Sequence, residues 1–414
     1  MEKICVFTLG CKVNQCESDS LIRGLVDKGY VVTDELEFAD LYIVNTCAVT
    51  GEAEKKSRQM RARIFAINPN ARIIFTGCAA EKNPDSFISK DNVQLVTGTF
   101  NKGEILNMLS DTGVKISAHT KVYEDMLTPS SLRARTYVKV QDGCDNFCSY
   151  CIIPYLRGRS RSRSVESIVA EIEKTSPTEC VLNGINISDY NYNGIGLAGL
   201  LDNLTKFDTR FRIGSLEVGV ITEDFLQATK RLKNFAPQFH LSLQSGSDAV
   251  LKKMNRHYTT AEYLSKVRLI KQYYPYAGIT TDIIVGFPTE TENDVDATLD
   301  FVKQVGFSDI HPFPFSPRSG TLAYKLKDLP GDVKKARLDK LLQAKNACRD
   351  AFFEFNMQNT LTVLTETIND GYVVGYSENY IRIYVFDDKL PLNTFIKVKP
   401  ITKFKDGLLA KIID

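Results

Sequence analysis

The chain has 414 residues, more than a single core usually serves, so two or three domains are expected. Hydrophobic residues make up 43% and charged residues 25%, ordinary for a soluble globular protein, and the formal net charge of +2 means that any basic footprint for a nucleic acid must be local. Apolar stretches such as 279–287 fall short of the ~20 residues that a membrane-spanning helix needs, and the start, Met1-Glu2-Lys3-Ile4-Cys5-Val6-Phe7, lacks the basic leader of a signal peptide, so a cytoplasmic protein without membrane association is expected.

From residue 1 to 125 short apolar runs alternate with helical patterns. Residues 3–8, 41–45, 72–76 and 93–97 read as strands. Residues 18–28 read as a helix, capped by Ser18 or Asp19 and stopped by Gly29, and residues 52–66 as another. Such alternation predicts an α/β domain with a doubly wound parallel sheet. Residues 128–135 read as a linker. From 133 to 355 the alternation resumes, with strands expected at 136–140, 179–183, 212–217, 239–244, 280–285 and 309–315. Six βα units suit a partial, TIM-like (βα)6 barrel, because closure takes eight. A long helix follows at 331–355. From 356 to 414 the pattern becomes five short strands split by turns, the size of a small all-β, OB-like barrel.

Ten cysteines punctuate this order. Cys144, Cys148 and Cys151 stand in Gly143-Cys144-Asp145-Asn146-Phe147-Cys148-Ser149-Tyr150-Cys151, directly after the first strand of the expected barrel. Three soft thiolates within eight residues can grip one iron–sulfur cluster, and with no fourth cysteine nearby one iron keeps an open position. Zinc would want a fourth ligand, and His119, His240, His257 and His311 are all distant in sequence. Cys11, Cys47 and Cys78 each follow a predicted strand. In a parallel sheet the strand ends share one edge, so these three can converge; on the residues alone they read as a second ligand set or as small buried residues. Cys5, Cys16, Cys180 and Cys348 fit no ligand pattern, and the first and the last two of them read as core packing.

The C-x3-C-x2-C loop resembles the signature of the radical S-adenosylmethionine superfamily. The loops Leu9-Gly10-Cys11-Lys12-Val13-Asn14-Gln15, Asn45-Thr46-Cys47-Ala48-Val49-Thr50 and Thr76-Gly77-Cys78-Ala79-Ala80 are similar to those of its methylthiotransferase family. The resemblance spans the whole chain: a methylthiotransferase N-terminal domain (1–125), a radical barrel (133–355) and a terminal β-barrel called TRAM (356–414). It implies S-adenosylmethionine and two 4Fe-4S clusters. Cys144, Cys148 and Cys151 would hold the catalytic cluster that cleaves S-adenosylmethionine to a deoxyadenosyl radical, and Cys11, Cys47 and Cys78 an auxiliary cluster that supplies or carries the inserted sulfur. Further matching stretches surround Gly184, Ser215, Glu217, Ser242 and Gln244, read as contacts to S-adenosylmethionine or ribose, with Gly184 and Gly286 allowing close backbone approach.

The arginines at 157, 159, 161 and 163 are read as anion grips, Arg157 for the cofactor and all four for tRNA together with Lys252, Lys253, Arg256 and His257. In the terminal barrel basic and acidic residues balance. RNA binding there would rest on Lys397, Lys399, Lys403 and Lys405 along one edge, with Tyr372, Tyr376 and Tyr380 for stacking.

The implied activity is radical insertion of a methylthio group at C2 of an adenosine in tRNA. The first cysteine loop resembles the branch that acts on N6-threonylcarbamoyladenosine next to the anticodon. Isopentenyladenosine in tRNA and an aspartate of a ribosomal protein are the alternative substrates, and a non-catalytic iron–sulfur electron carrier is the alternative class. The expected partners are tRNA and a flavodoxin- or ferredoxin-like electron donor, with the enzyme a monomer.

Overall fold

The computed structural model describes residues 2–89, 92–126, 134–387 and 389–413. The N-terminal part is a six-stranded, all-parallel sheet in the spatial order Val31–Thr33, Lys3–Thr8, Leu41–Thr46, Arg72–Gly77, Val93–Thr97, Gly113–Lys115. The four central strands are those expected. The two edge strands have three residues each and too short a pattern to register in the sequence. The apolar residues of these strands feed two cores, one on each face of the sheet.

The first helix runs over Lys12–Asp27, six residues earlier than expected. Its opening turns carry no apolar stripe because Asn14, Glu17, Ser18, Asp19 and Ser20 are buried against polar partners instead of a hydrophobic core. Ser18 and Asp19 are therefore interior residues, and Cys11 holds the N-cap position. Gly29, at φ +88°, follows the helix as expected. Of the predicted linker, residues 128–133 lie outside the described residues, and Arg135 already opens the strand Arg135–Lys139.

The central part is an open ring of six parallel strands in chain order, the third of them split into two segments. Arg135–Lys139, Glu179–Asn183 and Arg210–Ile213 pair in one sheet. Ser215–Leu216, Gln238–Leu241, Gly278–Val285 and Asp309–Pro314 pair in the next. The third expected strand breaks at Gly214, whose N–H donates to the Leu182 carbonyl at 2.8 Å before the chain changes partner. A side chain at Gly214 would meet Asn183 Oδ1 and the Leu182 carbonyl at 3.2 Å, so the bend relies on glycine. The long helix Gly331–Asn356 leads into a closed five-stranded barrel of Leu361–Asn369, Tyr372–Ser377, Arg382–Val385, Gly407–Ile412 and Phe395–Phe404.

The terminal barrel is joined to the central ring by buried charge. Arg210 and Arg212 flank Glu179, all three about 1% exposed or less. Arg210 pairs with Glu179 and Arg212 meets it at 2.9 Å. The same guanidiniums donate to carbonyls of Thr362, Ser377 and Glu378 in the terminal barrel at 3.0–3.2 Å. Glu179→Ala leaves two buried cations facing each other, so a loss of about 3–5 kcal/mol of stability is expected by chemical denaturation.

Candidate active site

Chain connections reverse direction between the strands Lys3–Thr8 and Leu41–Thr46. That reversal opens a crevice at the C-terminal strand edge; Cys47 and Cys78 are the first residues beyond two of the strands that meet there, and Cys11 lies three residues beyond the end of a third. Asn14 and Thr46 stitch their loops together. Asn14 Nδ2 donates to the carbonyls of Leu9 (2.8 Å) and Thr46 (3.0 Å). The Thr46 hydroxyl donates to the Thr76 carbonyl at 2.6 Å and accepts from the N–H groups of Ala79 and Ala80. Gly10, at φ +109°, packs so tightly on Cys47 that a Cβ would stand 2.9 Å from its sulfur.

The second cysteine set lies on the loop after the first barrel strand. Gly143, at φ +72°, has no room for a side chain, since a Cβ would stand 2.1 Å from the Arg159 carbonyl. Phe147 also takes a left-handed conformation, φ 46°, inside the cysteine loop. Ser149 anchors the loop through its N–H to the Met254 carbonyl and its hydroxyl to the Lys253 carbonyl. Arg256 reaches the Cys148 sulfur at 3.3 Å and pairs with Glu217 at 2.8 Å, and Glu217 also accepts from Asn146.

All six cysteines open on one cavity of about 930 Å³. Within neither set do the three sulfurs all lie within 4.8 Å of one another. A single tetrahedral zinc, with Zn–S near 2.3 Å, would draw them to about 3.8 Å. Neither set is therefore a preformed compact zinc group, and three soft thiolates apiece are the donor chemistry of an iron–sulfur cluster. Burial pushes the thiols of Cys47, Cys144 and Cys151 up to about 12 and raises that of Cys78, so these groups stay neutral until a metal displaces their protons. The other cysteines point elsewhere: the sulfurs of Cys5, Cys16 and Cys348 donate to carbonyls of Glu35, Tyr137 and Val302, and Cys180 is fully buried.

Gly184, Ser215, Glu217, Ser242 and Gln244 line the same cavity. Gln244 is held at φ 69°, a left-handed conformation costly for a non-glycine residue, by hydrogen bonds with Asp282 and Ile284. Gly286 is not at the cavity; it packs on Lys334 of the long helix and its N–H binds Glu290. His240, Asp282 and His311, not singled out in the sequence, form a further group: the imidazoles stack 5.8 Å apart and His240 meets Asp282 at 3.3 Å. Their signal was polar residues at alternate positions of the barrel strands, which face inward together.

Residues 138–302 match the family described as the radical SAM superfamily, and residues 3–98 match an uncharacterized family, UPF0004. The chain is 36% identical to threonylcarbamoyladenosine tRNA methylthiotransferase MtaB of Thermotoga maritima, over 99% of this chain and 97% of that protein. It is 36% identical to the MtaB of Aquifex aeolicus, over 92% and 96%. The chain belongs to the radical S-adenosylmethionine methylthiotransferase family, in its MtaB-like group. Identity is 33%, over 95% of this chain and 93% of that protein, to a tRNA-2-methylthio-N(6)-dimethylallyladenosine synthase of Clostridium botulinum. Among solved structures, the fold is similar to that of the radical S-adenosylmethionine methyltransferase TsrM from Kitasatospora setae, with TM-score 0.53 at 13% identity over 76% of this chain and 72% of that one. This methylthiotransferase is accordingly a radical enzyme that transfers a sulfur-containing group and uses a 4Fe-4S cluster and S-adenosylmethionine.

Several of the basic residues expected to hold anions, Arg157, Arg161, Arg163 and Arg256, are instead internal to the enzyme. Arg157 is fully buried. It pairs with Glu17 at 2.8 Å and Asp142 at 3.1 Å, and its other amino group donates to Asn14 at 2.7 Å, so neither terminal nitrogen is free for a phosphate or for S-adenosylmethionine. Arg161 pairs with Asp142, and Arg163 with Asp125 and Glu171. Arg159 alone in the run is exposed, and it faces Asp145. Arg256 serves the cysteine loop, which leaves Lys252, Lys253 and His257 exposed. On the terminal barrel Lys399 bonds Gln358, Lys403 pairs with Glu354 and Lys405 with Asp370. Tyr372 joins an aromatic group with Tyr384, Phe386 and Phe404, whereas Tyr376 and Tyr380 stack on each other at 4.7 Å and line the cavity.

The Arg157 network is the junction between the two cysteine sets. Glu17 also binds Lys102 and Lys139, and Asp142 binds Lys139 at 2.6 Å. Burial alone pushes both carboxyls up, but the surrounding Arg157, Lys102, Lys139 and Arg161 outweigh it and hold Glu17 and Asp142 below the ordinary carboxylate range. The cations outnumber the carboxylates, and Arg157 and Lys102 act on the thiol of Cys78, which suits an anionic thiolate cluster there. The stability that these carboxylates contribute is present above their unfolded pKa, about 4.3 for Glu, and is lost as pH falls from there. Glu17→Gln is expected to cost about 3–5 kcal/mol at pH 7 and to flatten the acid limb of stability against pH, read by denaturation at a series of pH values.

Proposed function

We propose that this enzyme inserts a methylthio group at C2 of N6-threonylcarbamoyladenosine next to the anticodon of tRNA. The observation that carries the proposal is the convergence of Cys11, Cys47 and Cys78 with Cys144, Cys148 and Cys151 on one cavity, in a chain similar over its length to MtaB proteins. The division 1–125, 133–355 and 356–414 then separates sulfur delivery, radical generation and enclosure of the substrate.

Cys144, Cys148 and Cys151 would hold the cluster that reduces and cleaves S-adenosylmethionine, and Cys11, Cys47 and Cys78 the cluster that supplies sulfur, chemistry suited to a C2–H bond that offers no acidic proton. The chain's own residues set the geometry. Arg256 stabilises the Cys148 thiolate and fixes Glu217 at the cavity wall. Gly184, Ser215, Ser242 and Gln244 offer backbone approach and hydrogen-bonding groups to a nucleoside or to the methionine end of the cofactor. Tyr376 and Tyr380, with Arg135 4.7 Å above the Tyr376 ring, provide a stacking surface on the terminal barrel. A flavodoxin- or ferredoxin-like electron donor, a monomeric state and a cytoplasmic setting accompany the proposal. No described helix is long and apolar enough to cross a membrane.

Separate roles for the two cysteine sets predict separable variants. Cys144→Ala abolishes deoxyadenosine formation. Cys47→Ala keeps it and stops methylthiolation, both read by mass spectrometry of the reaction mixture. The substrate is tested by incubating anaerobically reconstituted enzyme with tRNA, S-adenosylmethionine, sulfide and reductant and analysing the nucleosides. A methylthio derivative of threonylcarbamoyladenosine is expected. Deoxyadenosine release with the methylthio group on the dimethylallyl nucleoside, or on a ribosomal protein, would overturn the substrate and leave the radical chemistry standing.

A further inference from the structure

The geometry points to Lys12 as the residue that recognises the carboxylate on the substrate's N6 substituent, an inference that rests on the substrate proposed above. Six cationic side chains line the cavity: Lys12, Arg157, Arg256, Lys345, Arg349 and Arg382. Four are ion-paired with protein carboxylates. Arg157 has Glu17 and Asp142, Arg256 has Glu217, Lys345 has Asp309 at 3.3 Å and Arg382 has Asp406 at 2.8 Å. Among the described residues no carboxylate lies within ion-pair distance of Lys12 or Arg349. Arg349 is held on its own helix, by Asn346 at 3.3 Å and over the Phe353 ring. Lys12 has only the Tyr380 ring, 6.0 Å from its ammonium.

Its neighbours sharpen the asymmetry. Arg135 and Arg212 lie over the same Tyr380 ring at 5.4 and 4.9 Å. Those two have Glu366 and Glu179 as ion-pair partners, Glu179 being shared with Arg210, whereas Lys12 alone of the three has no carboxylate within ion-pair distance. An ammonium at the cavity wall with no carboxylate partner is stabilised by an incoming anion.

The position of Lys12 selects which anion. It follows Cys11 directly, on the edge where sulfur is to be delivered. In the substrate, C2 and N6 are separated only by N1 and C6. The carboxylate at the end of the N6 substituent therefore lies within a side chain's length of the reacting carbon. The nucleotide's own phosphates hang from the far side of the ribose. A base presented with C2 toward Cys11, Cys47 and Cys78 thus brings its carboxylate, and not its phosphates, to Lys12. A dimethylallyl substituent would leave the ammonium unpaired and dehydrated, so the same residue selects against it.

The test compares two anticodon stem-loop RNAs, one carrying N6-threonylcarbamoyladenosine and one in which that carboxylate is converted to a carboxamide. Affinity for the reconstituted holoenzyme is read by fluorescence anisotropy and kcat/KM by methylthio nucleoside formation, with iron content and visible absorbance checking that both clusters are intact. Wild type should prefer the carboxylate RNA by about tenfold or more, the scale of a charge-assisted hydrogen bond. Lys12→Gln should bind the carboxylate RNA about tenfold more weakly and the carboxamide RNA unchanged, with Lys12→Arg restoring part of the preference. Equal weakening for both RNAs would assign Lys12 to a backbone phosphate and overturn the inference. So would an unchanged preference in Lys12→Gln, or its loss only in Arg349→Gln. Wild-type enzyme that modifies only dimethylallyl RNA would instead strike the proposed substrate, a result separable from the Lys12 comparison.

Discussion

The buried ion group of Glu17, Asp142, Lys102, Lys139 and Arg157 is the constraint on which the rest of the structure depends. It draws one carboxylate from the first helix, one from the loop before the central cysteines, and cations from three further segments. A buried ion pair is a weak source of stability, because desolvation offsets most of the attraction. Its value here is geometric. Bidentate guanidinium contacts fix distance and angle together, and Arg157 ties the helix that begins at Lys12 to the segment that follows Cys151. Two cysteine sets on separate sheets are thereby held facing one cavity.

The same economy appears at the loop level. Asn14 and Thr46 replace a continuous hydrophobic packing with a few directed hydrogen bonds, so three loops far apart in sequence are set against one another without covering the sulfurs. Glycine is used where the backbone must pass closest: Gly10 against Cys47, and Gly143 against the Arg159 carbonyl. Positive-φ Phe147 and Gln244 mark places where the surroundings impose a conformation that the residues would not choose. These features are expected of a site that must hold cofactor and substrate in register.

Much of this was legible in the sequence. Apolar alternation gave the four central strands of the first sheet, and the change to short strands split by turns announced the terminal barrel. The C-x3-C-x2-C spacing pointed to the central cysteine set, whereas the N-terminal set was read from its place after three strands and from the family resemblance. The misplaced start of the first helix and the misread arginine run share one cause. Glu17, Asp142, Arg157 and Arg163 are charged residues with internal partners, and hydropathy reads charge as surface. Hydropathy alone therefore starts the first helix too late and sends the arginine run to a nucleic acid. Partners such as Glu17 and Arg157 are 140 residues apart, so only the fold brings them together. The short edge strands escaped for a different reason, being too brief to show a period.

One cavity built for two clusters, each held by its own cysteine set, has a direct spectroscopic signature. Iron and acid-labile sulfide analysis with Mössbauer spectroscopy tests it most directly, on anaerobically reconstituted wild type and on a variant with Cys11, Cys47 and Cys78 all changed to Ala. Wild type should contain two clusters' worth of iron. The variant should retain one 4Fe-4S cluster with a unique iron site whose signal shifts on adding S-adenosylmethionine. A single cluster in wild type, or loss of both in a folded variant, would contradict the claim.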